Sequence, residues 1–304
     1  MLDKLTTEAR NPASENLDEL SPRAIVELIN AEDAGVAEAV GQEAATIAKA
    51  VEVIAHRLGT GGRLIYIGAG TSGRLGILDA AECPPTFNSD PSKVVGIIAG
   101  GPGAMLKAVE GAEDSEELAK EDLRKIDLCS QDVVVGIATS GRTPYVLGGL
   151  DYARSQGAYA IGLSCNRDGA IVSRADISIA PVVGPEVVSG STRMKAGTAT
   201  KMVLNMLTTG AMVLMGKTYG NLMVDLQATN TKLTERTKRI LSQITDLPPS
   251  DAAILLDRCD GELKTAIVAQ SLDQSPADAR EQLAAAKGHL RAALENGMSS
   301  NGRQ

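Results

Sequence analysis

Tryptophan is absent, phenylalanine occurs once, and histidine occurs only as His56 and His289 in this chain of 304 residues. The aromatic platforms on which sugars, nucleobases or flavins commonly stack are therefore nearly missing, and five Tyr cannot replace them everywhere. Two histidines exclude a His-rich metal site and argue against a His-centred triad, so acid–base chemistry falls to carboxylates, Lys or Tyr. An excess of positive charge is lacking too. With 30 Lys and Arg against 38 Asp and Glu, the formal net charge of -8 speaks against a nucleic-acid partner. No apolar run reaches the roughly 18 residues of a membrane span, and the polar opening MLDKLTTEARNPASENLDEL carries no secretory pattern. Cys83, Cys129, Cys165 and Cys259 show neither a CxxC pair nor zinc spacing and read as reduced thiols. A soluble, cytoplasmic protein with no metal, no membrane and no nucleic-acid partner is expected.

What is present is a change of pattern along the chain. Residues 1–60 read as a helical segment, with Ser21-Pro22 as cap and first turn, an apolar stripe through Ile25, Leu28 and Ile29, and a stop at Gly59-Thr60-Gly61-Gly62. Short β-branched runs follow at Arg63–Gly68, Lys93–Ala99, Asp132–Ala138, Tyr159–Ser164 and Ile177–Val183, separated by segments of helix length. Their continuous rather than alternating apolarity predicts strands buried on both faces of a parallel sheet. The class is α/β. Beyond residue 185 no further strand is expected: Arg193–Lys217 reads as a long Met-rich helix and Asn221–Ile244 as an amphipathic one. Leu247-Pro248-Pro249-Ser250 marks a linker, residues 250–295 a small all-helical bundle, and 296–304 a disordered tail.

In a doubly wound parallel sheet the ligand crevice lies beyond the carboxyl ends of the strands where their order reverses, between the first and third strands for the flavodoxin-like order. Those two strands lead into loops that repeat Thr-Ser-Gly-Arg, Gly68–Arg74 and Ala138–Thr143. Gly lets the backbone approach a ligand, hydroxyls donate hydrogen bonds, and a helix start offers N–H groups and a positive dipole end, so the pattern suits a phosphate. Neither loop is a GxxxxGK[ST] motif. The first fits GxGxxG by letter only, with no acidic residue at the end of the next strand as a dinucleotide site requires. A third loop, Ser189-Gly190-Ser191-Thr192-Arg193, could close the same crevice or serve only as a helix cap. The candidate substrate- or phosphate-binding residues are Gly70, Thr71, Ser72, Gly73, Ser140, Gly141, Thr143, Ser191 and Thr192; Arg74, Arg142, Glu186, Arg193 and Lys195 are second-tier site candidates, of which the arginines could equally lock the loops together and Glu186 could be structural.

The segments GAGTSGRLGILDAAECPPTF, AVEGAEDS, VVVGIATSGRTPYVLGGLDYAR and GPEVVSGSTRMKAGTATKMVLNML resemble the N-acetylmuramic acid 6-phosphate etherases, a family of the sugar isomerase (SIS) superfamily. The N-terminal TTEARNPASENLDELSPRAIVELINAED is similar as well, so the resemblance spans nearly the whole chain. It implies a three-layer αβα SIS domain with a five-stranded parallel sheet over 61–246, including its long trailing helices. N-terminal helices precede it, and a small helical bundle resembling ubiquitin-associated domains follows.

The resemblance further implies cleavage of the D-lactyl ether of N-acetylmuramic acid 6-phosphate without a cofactor, a carbon–oxygen lyase reaction of cell-wall sugar recycling. Two carboxylates would carry it. Glu82, in Asp79–Pro85, would protonate the departing lactyl oxygen, and Glu113, in Glu110–Asp114, would handle the C2 proton. Glu82 also stands out by position, at the end of the helix started by the first loop and just before Cys-Pro-Pro; a carboxyl facing a partly dry crevice there would keep its proton, as a general acid requires. The residues around Glu113 alone would suggest a solvated acidic turn. SIS domains usually pair, so a homodimer sharing its sites is implied, with the Met-rich helix at the interface and TTEARN reaching into a partner's crevice. A non-catalytic phosphosugar-binding regulator and a phosphosugar isomerase are the alternatives.

Overall fold

Apolar runs without polar alternation have to be covered on both sides, and the chain meets that demand with a parallel sheet between two helical layers. In the computed structural model, which describes residues 6–226 and 231–301, the strands are β1 (Leu64–Gly68), β2 (Val94–Ile98), β3 (Val133–Ile137), β4 (Tyr159–Leu163) and β5 (Ile177–Ile179). All pair in parallel in the order β2-β1-β3-β4-β5, with Leu64 opposite both Val94 and Val133. Every residue of β1 and β3 is buried, as their composition predicts. β5 stops at Ile179 rather than reaching Val183, since Pro181 has no N–H to continue the ladder.

The helices around the sheet are α1 (Pro22–Asp33), α2 (Val36–Gly41), α3 (Ala44–Gly59), α4 (Gly70–Phe87), α5 (Glu116–Lys125), α6 (Pro144–Ser155), the single turn α7 (Ile171–Arg174) and α8 (Lys195–Leu214). α1 starts as its sequence predicts: Pro22 occupies the first turn and the Ser21 hydroxyl accepts from the Ala24 N–H. On one face, Ile65, Ile67 and Val134 pack with Leu123 of α5, Val146 and Leu150 of α6, and Ile171. On the other, the Tyr66 hydroxyl donates to Asp79 Oδ2 of α4 at 2.9 Å, and Asn205 Nδ2 and Thr208 Oγ1 of α8 donate to Asp79 Oδ1 at 2.6 and 3.3 Å. Burial pushes the Asp79 carboxyl above its ordinary range, against the pull of these three donors and of Lys201.

At the amino ends of the strands a second buried carboxylate is placed differently. Asp132 accepts from the Arg63 backbone N–H and from its Nε and Nη2, at 3.0, 3.1 and 2.6 Å, and from the Cys129 N–H at 3.0 Å. Burial pushes this carboxyl up as well, but the Arg63 guanidinium and the backbone donors outweigh it and hold Asp132 below the usual range.

The chain divides into two compact units, Met1–Ala81 with Pro91–Gly210, and Glu82–Asp90 with Ala211–Gln304, so that α4 and α8 each run across the division. The N-terminal helices belong to the unit of the sheet and do not stand apart as a 1–60 segment. After α8 the second unit contains a hairpin that the sequence does not announce, β6 (Thr218–Tyr219) and β7 (Leu222–Met223) around Gly220 (φ 57°), beyond residue 185 where no strand is expected and overlapping the start of the helix expected over Asn221–Ile244. Asp225 after it is paired with both Lys264 and Lys217, at 2.8 and 2.9 Å. α9 (Thr231–Thr245), α10 (Pro249–Arg258), α11 (Leu263–Leu272), α12 (Pro276–Ala285) and α13 (Leu290–Asn301) follow. Leu241 of α9 is buried with Leu256, Ile267, Leu283 and Leu290, so α9 packs with the C-terminal helices rather than trailing the sheet domain to 246. α13 also runs through 296–301, a stretch expected to be disordered; residues 302–304 of that tail lie outside the described residues. Among the described residues no helix is long and apolar enough to cross a membrane. Cys83, Cys165 and Cys259 are buried, Cys129 is exposed, and none forms a disulfide.

Candidate active site

The two Thr-Ser-Gly-Arg segments stand at the carboxyl ends of the adjacent strands β1 and β3, where the strand order reverses. Identical in sequence, they differ in conformation. After β1 the helix starts at Gly70 (φ +52°), so Thr71, Ser72, Gly73 and Arg74 lie within its first turns, whose leading N–H groups have no intrahelical acceptor. After β3 the same residues form a turn, closed by the Gly141 N–H donating to Ala138 O at 2.8 Å. The cause is Pro144: the residue before a proline is displaced from the helical region, and Thr143 takes φ -55° and ψ 115°, postponing α6 to Pro144 itself.

Between the loops lies a cavity of about 520 Å³. Gly70, Thr71 and Ser72 line it from the first loop, Thr139, Ser140, Arg142 and Thr143 from the second, and Thr192 from the third. Glu113 and Asp114, in the short 3-10 turn Ala112–Asp114 ahead of α5, add two carboxylates to its wall, and Glu8 adds another. Glu113 also borders an adjoining hollow of about 180 Å³, whose lining combines Ala69, Ala99, Ala104 and Val109 with the charged Arg74 and Glu110. The chemistry on offer is a set of hydroxyls and helix-start N–H groups able to hold an anion, the guanidinium of Arg142 in the larger cavity and that of Arg74 in the smaller, and carboxylates able to move protons.

Other candidate residues do different work. Gly73 and Gly141 make room for their own chain: a Cβ on Gly73 would lie 2.6 Å from Gly68 O and Ile98 Cγ1, and one on Gly141 2.9 Å from Gly169 Cα. Gly73→Ala is therefore expected to lower stability by about 1–3 kcal/mol through overpacking, read as a fall in the thermal midpoint. Arg74 braces its neighbour, donating from Nε to Met105 O at 2.9 Å and from Nη2 to Ala104 O at 2.8 Å. Glu186 is fully buried and caps α8, accepting from the N–H groups of Lys195 at 3.0 Å and Ala196 at 2.9 Å. Lys195 is buried too and its Nζ pairs with Glu32 Oε2 at 2.5 Å, holding Glu32 below the usual carboxylate range against its own burial. Neither Glu186 nor Lys195 lines the cavity. Ser191 is half-buried, its N–H donating to Val188 O at 2.9 Å, and Arg193 is exposed. Burial, then Glu186, pushes the nearby Cys165 thiol up to about 12.

Glu82 departs from its expected setting. α4 does not close there but runs through Pro84 and Pro85 to Phe87, and Asn88 (φ 48°) ends it with an N–H donated to Pro84 O at 2.9 Å. Each proline forfeits one intrahelical bond and crowds the carbonyl four residues before it, here in the last turns of the helix. Glu82 is exposed, so its own chain does not supply the dry surroundings expected for it. The N-terminal segment makes hydrogen bonds to its own chain. The Thr6 N–H and Oγ1 donate to Asn166 Oδ1 at 3.0 and 2.8 Å, and Asn11 Nδ2 donates to Glu32 Oε2 at 2.8 Å. Glu8, Asp114 and Thr139 were not singled out from sequence. The polar TTEARN run was a signal for Glu8, but nothing in its spacing reveals that it folds back onto the loops.

Two family models match the chain, the glucokinase regulatory protein N-terminal SIS domain over residues 46–154 and the SIS domain over residues 108–210. The chain is 62% identical to the N-acetylmuramic acid 6-phosphate etherase of Rhodopirellula baltica, over 95% of this chain and 96% of that one. It is 54% identical to N-acetylmuramic acid 6-phosphate etherase 2 of Vibrio parahaemolyticus, over 97% and 98%, and 54% identical to the etherase of Salmonella agona, over 97% and 99%. With its two phosphate-type loops at the switch point of an SIS sheet and this identity along nearly its whole length, the chain belongs to the N-acetylmuramic acid 6-phosphate etherase family.

Proposed function

We propose that the chain cleaves the D-lactyl ether of N-acetylmuramic acid 6-phosphate to N-acetylglucosamine 6-phosphate and D-lactate, in the cytoplasm and as part of cell-wall sugar recycling. The carrying observation is the cavity at the strand switch point, where hydroxyls of two matching loops face Glu113. The phosphate is held by Thr71, Ser72, Ser140, Thr143 and Thr192 together with the first N–H groups of α4, with Ser191 bracing the third loop. Arg142 on the same wall receives the lactyl carboxylate.

In the ring-opened substrate the aldehyde acidifies the C2 proton. Glu113 takes that proton, the C3–O bond breaks with its electron pair leaving on the lactyl oxygen, and Glu82 protonates that oxygen. Water then adds at C3 of the unsaturated aldehyde, losing a proton to Glu82 while C2 regains one from Glu113, so both residues return to their starting states. No cofactor is called for.

Glu82 reaches this chemistry from a second copy of the chain. Glu82 is exposed on its own chain and is not among the residues lining either hollow that Glu113 borders. Exposed Leu78 on α4 and Met206 on α8 support pairing through these helices. A homodimer with shared sites is the assembly this reading requires.

Incubation with N-acetylmuramic acid 6-phosphate is expected to release D-lactate in equal amount to N-acetylglucosamine 6-phosphate, and heavy-oxygen water is expected to label the sugar at C3. Absence of lactate from the folded dimer would sink the reading, and label confined to lactate would contradict elimination and rehydration.

A further inference from the structure

The cavity wall contains a carboxylate that the reaction above does not use. Glu8 lies on the N-terminal segment, which carries none of the elements of the sheet, yet the chain commits buried hydrogen bonds to holding this segment in place. Thr7 and Asn166 are buried, and Asn166 Nδ2 donates both to Thr7 Oγ1 at 3.2 Å and to Thr139 O at 2.9 Å. One amide thus ties the strap to the second phosphate-type loop. On the other side of Glu8, buried Asn11 donates from Nδ2 to Pro185 O at 3.2 Å as well as to Glu32. A Cβ built on Gly190 would stand 3.5 Å from Glu8 Oε2, which places the carboxylate beside the third loop.

Fixing a backbone costs conformational entropy, and this strap is held on both sides of Glu8, an exposed residue that lines the cavity. A carboxylate there repels the phosphate and the lactyl carboxylate, so it must face the neutral part of the substrate. The geometry points to Glu8 as a substrate-positioning residue, accepting hydrogen bonds from the O–H and acetamido N–H groups of the phosphosugar. This assignment rests on the phosphosugar reading of the cavity and adds a contact that selects for donor groups on the sugar rather than for its anions.

The test measures Glu8→Ala and Glu8→Gln against the wild-type full chain, with thermal midpoints as a fold control. Glu8→Ala is expected to raise KM for N-acetylmuramic acid 6-phosphate and the Kd for N-acetylglucosamine 6-phosphate by about 10- to 100-fold, with kcat changed less than about threefold. Inhibition by inorganic phosphate should stay as in the wild type, and Glu8→Gln, which keeps one acceptor oxygen, should recover part of the loss. Unchanged KM and Kd in Glu8→Ala overturn the assignment, as does an equal loss of phosphate inhibition, which would show a displaced loop instead. A large fall in kcat at constant KM also overturns it, by making Glu8 a proton-transfer group. Because the Kd is read without turnover, a protein that binds N-acetylglucosamine 6-phosphate through Glu8 yet releases no lactate would refute the etherase reading alone.

Discussion

Glu113→Gln is expected to lower D-lactate release by about 10²- to 10⁴-fold, the usual worth of a positioned acid or base, and to suppress exchange of the C2 proton with solvent deuterium. Glu82→Gln should reduce lactate release to a similar degree while leaving C2 exchange largely intact, since that step precedes departure of the ether oxygen. Retention of both activities in either variant refutes its role. The pair also tests where the site is assembled. Neither variant is active by itself, but if Glu82 comes from the second copy, a mixed dimer contains one site with both substitutions and one with neither. With half the dimers mixed and one good site in each, an equimolar mixture of the two dead variants should recover about one quarter of wild-type activity after subunit exchange. No recovery despite verified exchange would place both glutamates on one chain.

The second large effect concerns stability. Asp132 is buried beneath Arg63 and the Cys129 N–H, so Asp132→Asn should cost about 2–4 kcal/mol at pH 7, roughly 5–12 °C in thermal midpoint for a unit of this size. Asp132 sits below its ordinary range in the fold, so its stabilisation is complete above the unfolded value of about 3.9 and is lost as pH falls through the lower folded value. Asp79 has the opposite sign. Burial raises it, so the folded state binds the extra proton, and its contribution is fullest below about pH 3.9 and declines as pH rises through the raised value. Asp79→Asn should therefore compare better with the wild type at pH 7 than at pH 4, whereas Asp132→Asn compares worse at pH 7. Thermal midpoints of both variants across that window check the signs; parallel slopes would refute the assignment of opposite roles.

The sheet could be read from sequence because a run such as Val133–Ile137 admits few alternatives, and the switch-point rule then placed two loops together that lie about 70 residues apart. The cavity's hydroxyls came with them. What stayed hidden depends on longer-range partners. Lys195 and Glu186 have the chemistry of ligands, and only the positions of Glu32 and of the α8 N-terminus reveal them as a buried pair and a cap. The hairpin at 218–223 is too short to leave a periodic signal. The identical Thr-Ser-Gly-Arg segments show the limit most plainly: their shapes were decided by Pro144, a residue outside the repeat.

Of the four thiols, only that of Cys129 faces solvent, in the turn leading into β3 and so at the opposite end of that strand from Ser140. Thiol-directed probes need an accessible, ionisable sulfur, and burial denies both to Cys165. The wild-type sequence therefore carries its own single attachment point for a fluorophore, remote from the hydroxyl-lined cavity. If the chain pairs as proposed, donor-labelled and acceptor-labelled samples, mixed, would report the exchange of chains by energy transfer without any engineered cysteine.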